Sequence, residues 1–365
     1  GMLSSAGVAA PAHCPPTLAA APEIAPVRAG LVLASAADLW LRDVNAFRAG
    51  NLHMYASRWD EVASHTHNGD RVRGWARHGV HAPDFFQHFK GMCMGRYYDS
   101  PTPPRAAFDN HRLPPDLESF VDLKIAEEVA AGAVRVWGPV SSVDPPHLVL
   151  PVGVEPSKPR KLHDARYLNL WCRDCPFKFE GLHMVPDMAA PGDSSLCVDD
   201  SSGYWHVCLT ADSQTFFGFR WREVYYVYTV LSFGWKIAPM VYNSFSGELA
   251  GFTRRLGIRS LYLLDDSLLL PLTLPAARLA GSYPMAPAHS AAYVVVALKV
   301  GLGYFVHPVK SILSPATEMD WLGLTIQFSE RRFAVPDKKV YAIQQLVEAV
   351  LGNDFVLFKT LERLV

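Results

Sequence analysis

The chain has 365 residues, half of them hydrophobic, and a formal net charge of −1. A chain of that length and apolarity buries at least one large core over two or three lobes, and it carries no molecule-wide basic field, so any nucleic acid would have to be held by local basic surface. No window of 18 or more uncharged apolar residues exists, so no membrane-spanning helix is expected, and no basic region leads into an apolar segment to suggest a secretory signal.

Residues 1–36 are rich in Ala and Pro with no sustained period, the pattern of a disordered leader. From Ala37 to Val80 the pattern is mixed. The histidines of "SHTHNGDRVRGWARHGV", His65, His67 and His78, read as solvated surface rather than ligands. After "SPTPPRAAFDNHRLPPD" the spacing of Phe120, Val121, Ile125 and Val129 predicts a helix that Gly132 ends. "AVRVW" and "HLVLPVGV" read as strands punctuated by Pro and Gly. Of the six cysteines only Cys172 and Cys175 form a CxxC, and with no second pair or zinc-spaced histidines they read as reduced structural thiols of an intracellular protein. Residues 193–270 alternate short β-rich segments with one helix pattern after Pro239, and "AAYVVVALKVGLGYF" predicts a further helix. No internal repeat is visible.

Four segments carry chemistry. They are "PRKLHDARYLN", "SLCVDDSSGYWHVCL", "LSFGWKIAPMVYN" and the leucine run "LYLLDDSLLL". A single DD closing a strand is usually solvated turn chemistry. Two apolar strands that each end in DD, laid side by side, would bring three or four carboxylates to one sheet edge. Ionised carboxylates resist burial unless a cation compensates them, and Mg2+ takes oxygen ligands from one or two carboxylates plus substrate phosphates. Two such ions about 3.5–4 Å apart stabilise both the attacking and the leaving oxygen of an in-line phosphoryl displacement.

The order of "RKLHDARYLN", "VDDSSGYWHV", "LSFGWKIAP", "LLDD", "GYFVHPVKS" and "WLGLTI" resembles the reverse transcriptase domain of retroelements. The texture "DDSSGYWHVCLTADSQTFFGFRW" followed by "YTVLSFGWKIAP", and the late "LGLTIQFSERRFAVPDKKVYAI", are most similar to DIRS-like retrotransposons, which also encode a tyrosine recombinase. The resemblance covers roughly 115–365, is weak from about 72, and omits the leader. It implies an α+β right-hand polymerase core with a ferredoxin-like, split βαβ palm, fingers and a truncated thumb. The implied division is a leader over 1–36, an N-terminal extension over 37–115, fingers over 116–173 and 207–238, palm over 174–206 and 239–330 including a primer-grip hairpin, and the start of a thumb over 331–365. The implied reaction is RNA- or DNA-templated DNA synthesis on a primer from deoxynucleoside triphosphates, with two Mg2+ ions, or Mn2+ in their stead, on Asp199, Asp265 and Asp266. By the same resemblance Tyr204 closes over the sugar, Arg160 and Lys161 belong to the finger segment that meets the triphosphate, Phe233 and Gly234 lie under the templating base and nucleotide, Lys310 lies near the leaving pyrophosphate, and Trp321, Leu322 and Gly323 grip the primer.

Two departures stand out. Where the family has a tyrosine two positions before its aspartate pair, this chain has Leu263, with Tyr262 one place earlier, so altered primer contact is expected. The chain also ends at "KTLERLV" with no recognisable ribonuclease H, protease or recombinase segment, so it reads as a fragment or a decayed open reading frame whose ribonuclease H and recombinase lie in adjacent or missing sequence. Alternatives are a catalytically decayed, nucleic-acid-binding or assembly module and a metal-dependent nuclease. The expected location is intracellular, cytoplasmic or nuclear, with no membrane partner. Strand alternation along "LCVDD" places Cys197 and Asp199 on one face and Asp200 on the other, so Asp200 is expected near the turn, capping amides or meeting solvent.

Overall fold

A computed structural model describes residues 41–155, 159–190, 193–271 and 287–352; the leader and the chain's last residues lie outside them. The protein is a mixed α+β structure. Three helices, Asn51–Met54, Ala56–Val62 and His67–His78, precede a hairpin of Phe89–Cys93 with Arg96–Ser100 and a 17-residue helix, Pro115–Ala131. Gly132 ends that helix at φ 80, the left-handed cap expected of it. His65, His67 and His78 are exposed.

Two sheets organise the rest. The first has five strands in the order Ala106–Ala107, Leu148–Val149, Gly218–Trp221, Val224–Tyr228, Val134–Pro139; its first two pairings are parallel and its others antiparallel. Beside it Val152–Glu155 pairs with Arg160–His163. The second has four antiparallel strands in the order Arg259–Leu263, Asp266–Leu270, Ser195–Asp199, Ile312–Ala316. Helices Ala238–Arg255 and Pro287–Gly301 pack against this sheet. A three-stranded sheet, Glu318–Trp321, Leu324–Gln327 and Arg332–Ala334, and a helix, Asp337–Leu351, follow.

One expectation is corrected here. The strand beside Ser195–Asp199 is not the one that runs into the second aspartate pair but the one that leaves it. A two-residue turn, Leu264–Asp265, folds the leucine run back on itself, so Asp266 opens a strand. Leu264 sits at φ 54, a left-handed conformation that costs a β-carbon-bearing residue about 1–2 kcal/mol. The turn therefore stores strain beside the carboxylates.

The main core is aromatic and joins the N-terminal helices to the rest. Trp59 meets Phe245 edge-on at 5.0 Å, and a chain of rings runs from Trp75 through Phe85 and Trp235 to Phe217. Glu248, buried on the helix Ala238–Arg255, accepts hydrogen bonds from the Ser64 amide and the Asn68 side chain. Cys172 is buried, accepts the Trp235 indole N–H, and has its thiol pushed up to about 11 by burial, which makes it an inert packing group. Among the described residues no helix is long and apolar enough to cross a membrane.

Two buried histidines give the fold an acid sensitivity. In His206 Nδ1–H donates to the Gly203 carbonyl while Nε2 accepts the Phe305 amide N–H, a pairing that only the neutral ring can make. Burial, aided by the charges of Lys299 and Arg42, lowers its pKa to about 4. His163, buried against Ser232, is lowered to about 3 by burial and then by Lys161. The unfolded chain therefore binds the extra protons first as pH falls below about 6.5, and each histidine removes up to about 1.4 kcal/mol of stability per pH unit until its folded value is reached. The carboxyls of Asp200 and Asp266, raised to about 6 by burial, titrate in the same window with the opposite sign. The expected result is a difference: urea midpoints measured from pH 7 to 4.5 fall less steeply for His206→Gln than for the wild-type chain. Parallel curves would show that His206 takes up its proton in the folded state.

Candidate active site

Strand pairing builds the site. Asp199, the last residue of Ser195–Asp199, stands directly opposite Asp266 in the antiparallel ladder, and Asp265 occupies the turn beside them. Cys197 and Leu268, the next pair on the same face, are buried with Leu261, Met319 and Trp321, so the carboxylates cap an apolar layer. The backbone is pinned from both sides. The Asp199 amide donates to Ser311 Oγ at 3.0 Å, its carbonyl accepts from the His307 amide at 2.8 Å, and the Asp200 amide donates to the Asp265 carbonyl at 3.0 Å.

The electrostatics are those of an acidic cluster that Lys299 and Lys310 compensate only in part. Burial and the neighbouring charges of Asp265 and Asp199 push the Asp266 carboxyl up to about 6, and Asp265 is raised by burial and by Asp199. Asp199 Oδ1 is buried and accepts no hydrogen bond; the Lys310 ammonium, itself largely exposed, is 3.6 Å away. Among the described residues no three His, Cys, Asp or Glu side chains already converge closely enough to enclose a metal. The donor set nevertheless fits a hard divalent cation: oxygen-only, anionic, with one buried oxygen lacking a donor.

Around this cluster the other expected residues fall into two groups. Tyr204, on the short 3-10 turn Gly203–His206, packs against Phe233 in a tilted pair with centroids 4.8 Å apart and has its hydroxyl raised to about 12 by burial and by Asp265. Phe233 is half exposed. Gly234 sits at φ 101, where a β-carbon would come within 2.3 Å of the His163 carbonyl oxygen, so the loop passes flush against the strand Arg160–His163. Asn169 clamps the loop by donating to the Gly234 carbonyl and accepting the Lys236 amide. Leu322 and Gly323 form the left-handed turn of the Glu318–Gln327 hairpin, with Trp321 buried beneath and Lys339 donating to the Gly323 carbonyl. Leu263 packs into the same apolar layer as Trp321, while Tyr262 is buried on the opposite face.

Lys161 and Asp200 depart from expectation. Arg160 is exposed, but Lys161 points inward, ion-paired to buried Glu128 and lying 4.3 Å above the Phe219 ring. Alternation along the strand accounts for it: neighbours face opposite sides, and the inner side is the five-stranded sheet. The Lys161 ammonium thus lies within the interior, while Arg160 faces solvent. Asp200 neither caps amides nor meets solvent. It is buried against Lys299 and Tyr242. Lys299, Tyr242, Asn169 and Ser311 were not singled out from sequence; Lys299 alone carried a signal, as the one charge in the apolar helix "AAYVVVALKV".

The mixed α+β fold matches that of solved reverse transcriptases. No family model and no curated protein sequence matches the chain. Among solved structures, foamy viral protease-reverse transcriptase in complex with an RNA/DNA hybrid aligns at TM-score 0.55 and 15% identity, over 82% of this chain and 39% of that one. The same protease-reverse transcriptase with double-stranded DNA aligns at 0.55 and 16%, over 85% of this chain and 60% of that one. Its dRH form with double-stranded DNA aligns at 0.54 and 16%, over 87% and 52%. The chain therefore spans 39–60% of the length of these neighbours. At such identity the likeness is one of fold.

Proposed function

We propose that the chain is a reverse transcriptase, an RNA- and DNA-dependent DNA polymerase of a DIRS-like retroelement, acting on a primed template and deoxynucleoside triphosphates. The observation that carries this reading is the Asp199–Asp266 pair held face to face by backbone, with Asp265 in the adjoining turn. Asp199, Asp265 and Asp266 would hold two Mg2+ ions, which supply Lewis-acid stabilisation of the attacking and leaving oxygens. The protein's own share is positioning and charge. Lys310 brings a largely exposed cation to the edge of Asp199, suited to a departing pyrophosphate. Exposed Arg160 offers a planar fork to the triphosphate. Phe233 and Gly234 offer a floor to the base pair, Tyr204 a wall to the sugar, and the Trp321–Gly323 turn a rest for the primer end. Fingers, palm and thumb divide the chain as the resemblance implies.

A groove of about 540 Å³ bounded by His67, Arg71, Arg173 and Asn243 adds a basic wall; its one carboxylate, Asp174, is paired with Lys236. It suits a template strand, since nucleic-acid affinity rests on phosphate contacts. Extension of a labelled primer on poly(rA), with Mg2+ and with EDTA, tests the reading. Metal-dependent extension supports it; binding without extension points to a decayed module, and primer degradation to a nuclease.

Sugar choice gives a sharper test. If Tyr204 is the wall that excludes a 2′-hydroxyl, Tyr204→Ala removes a repulsive element, and ribonucleotide incorporation rises roughly tenfold or more relative to deoxynucleotide. A ratio within about twofold of wild type in a folded, active variant would remove Tyr204 from that role.

A further inference from the structure

We propose that the buried Asp200–Lys299 ion pair positions the candidate metal-holding carboxylates from beneath the sheet. The inference rests on the catalytic reading above.

Asp200 follows Asp199 directly and points to the opposite face. Its two carboxylate oxygens accept from Lys299 Nζ at 2.8 and 2.9 Å, and Oδ2 also accepts from the Tyr242 hydroxyl at 3.2 Å. Both charged residues are buried, Asp200 at 3% and Lys299 at 1% exposure. The Lys299 ammonium also lies 5.5 Å from the Tyr262 centroid and 5.4 Å from that of Tyr304. The side chain of Asp200 is thereby fixed to two helices, Pro287–Gly301 and Ala238–Arg255, while its amide holds the Asp265 carbonyl at 3.0 Å. One residue thus couples the end of the Asp199 strand, the Asp265 turn and the two helices below.

Stability alone does not account for such a pair. Desolvating two charges offsets most of their attraction, and well-packed apolar residues of similar volume are often as stable or more so. What an apolar replacement lacks is direction. A bidentate carboxylate with a third donor fixes distance and orientation, and a shift of about 1 Å in a reacting group costs on the order of a hundredfold in rate. Asp200, Lys299 and Tyr242 are buried on the face of the sheet away from Asp199, so they are positioning residues.

The test uses the full chain with Asp200→Leu, Lys299→Met and Tyr242→Phe combined. It reads urea unfolding, Mn2+ binding by electron paramagnetic resonance, and primer extension resolved into kcat and KM. The expected variant folds, binds Mn2+ at least about tenfold more weakly, and loses about 10- to 100-fold in kcat with its nucleotide KM little changed. A folded variant with wild-type Mn2+ binding and kcat overturns the proposal. Should the triple variant not fold, Tyr242→Phe and Lys299→Arg read the same quantities with the pair retained, and unchanged values in both overturn it. A wild-type chain that binds Mn2+ without extending primers retires the polymerase reading alone, and the Mn2+ titration then decides the positioning claim. A wild-type chain that binds no Mn2+ overturns both.

Discussion

Asp199→Asn and Asp265→Asn are each expected to abolish primer extension while leaving the protein as stable as wild type or more so. The two effects have one origin. The raised carboxyls of Asp265 and Asp266 mark a cluster whose ionised form the fold tolerates at a cost, through burial first and mutual repulsion second. Neutralising one member relieves that repulsion in the metal-free protein. On the proposed two-metal reading the same change would remove charge where two cations and a triphosphate meet, at a cost of roughly 3 kcal/mol or more, at least about a hundredfold in rate. Extension at saturating Mg2+ and urea midpoints on the same preparations check both halves. Extension above about a tenth of wild type by either variant would take that carboxylate out of the chemistry. Asp200→Asn behaves differently: it leaves Lys299 buried without its anion, and loss of folded protein precedes any effect on rate.

Glu128→Gln is expected to cost about 3–5 kcal/mol, because it strands the buried Lys161 ammonium without its only carboxylate partner among the described contacts. Burial already works against both charges, raising the Glu128 carboxyl and lowering the Lys161 ammonium, and each holds the other in its charged form. Replacing the pair together, Glu128→Leu with Lys161→Met, is expected to restore most of the lost stability, since the apolar stems fill the same space against Phe219 and Tyr228. Chemical denaturation measures the loss and the rescue. Activity of the rescued pair then settles the role of Lys161: wild-type KM for nucleotide follows from a structural lysine, whereas a large rise in KM means that the ammonium reaches the triphosphate after all.

The sequence made the sheet and the acidic cluster legible for a physical reason. Aspartate pairs closing apolar runs ask for a cation, so 199–200 and 265–266 marked one candidate edge before any strand order was known, while the choice of Asp199, Asp265 and Asp266 among them came from the family resemblance. Gly132 and Pro239 marked helix ends by backbone chemistry alone. Pairing was less legible: nothing in "LYLLDDSLLL" says that Leu264 accepts a left-handed turn, so which arm of the run lies against Ser195–Asp199 could not be read from it. Partners distant in sequence were invisible for the same reason. Glu128 and Lys161, or Asp200 and Lys299, meet only once the elements pack, although the argument that flagged the aspartates applies equally to a lone lysine in an apolar helix. The groups that hold the site, Asn169, Ser311 and His206, act through backbone amides and carbonyls, which leave no mark in side-chain pattern.

The ladder that sets Asp199 against Asp266 also works as a ruler written in main-chain hydrogen bonds. The two backbones that carry these carboxylates stand one strand spacing apart, about 4.7–4.9 Å, a distance that owes nothing to most of the residues between positions 199 and 266. Much of the loop and helix sequence in that interval can drift, lengthen or be exchanged without moving one mark against the other, provided the anchors Asp200 and Tyr242 and the turn at Asp265 remain. A chain built this way can lose nearly all detectable kinship in its letters while the distance its chemistry depends on stays the same.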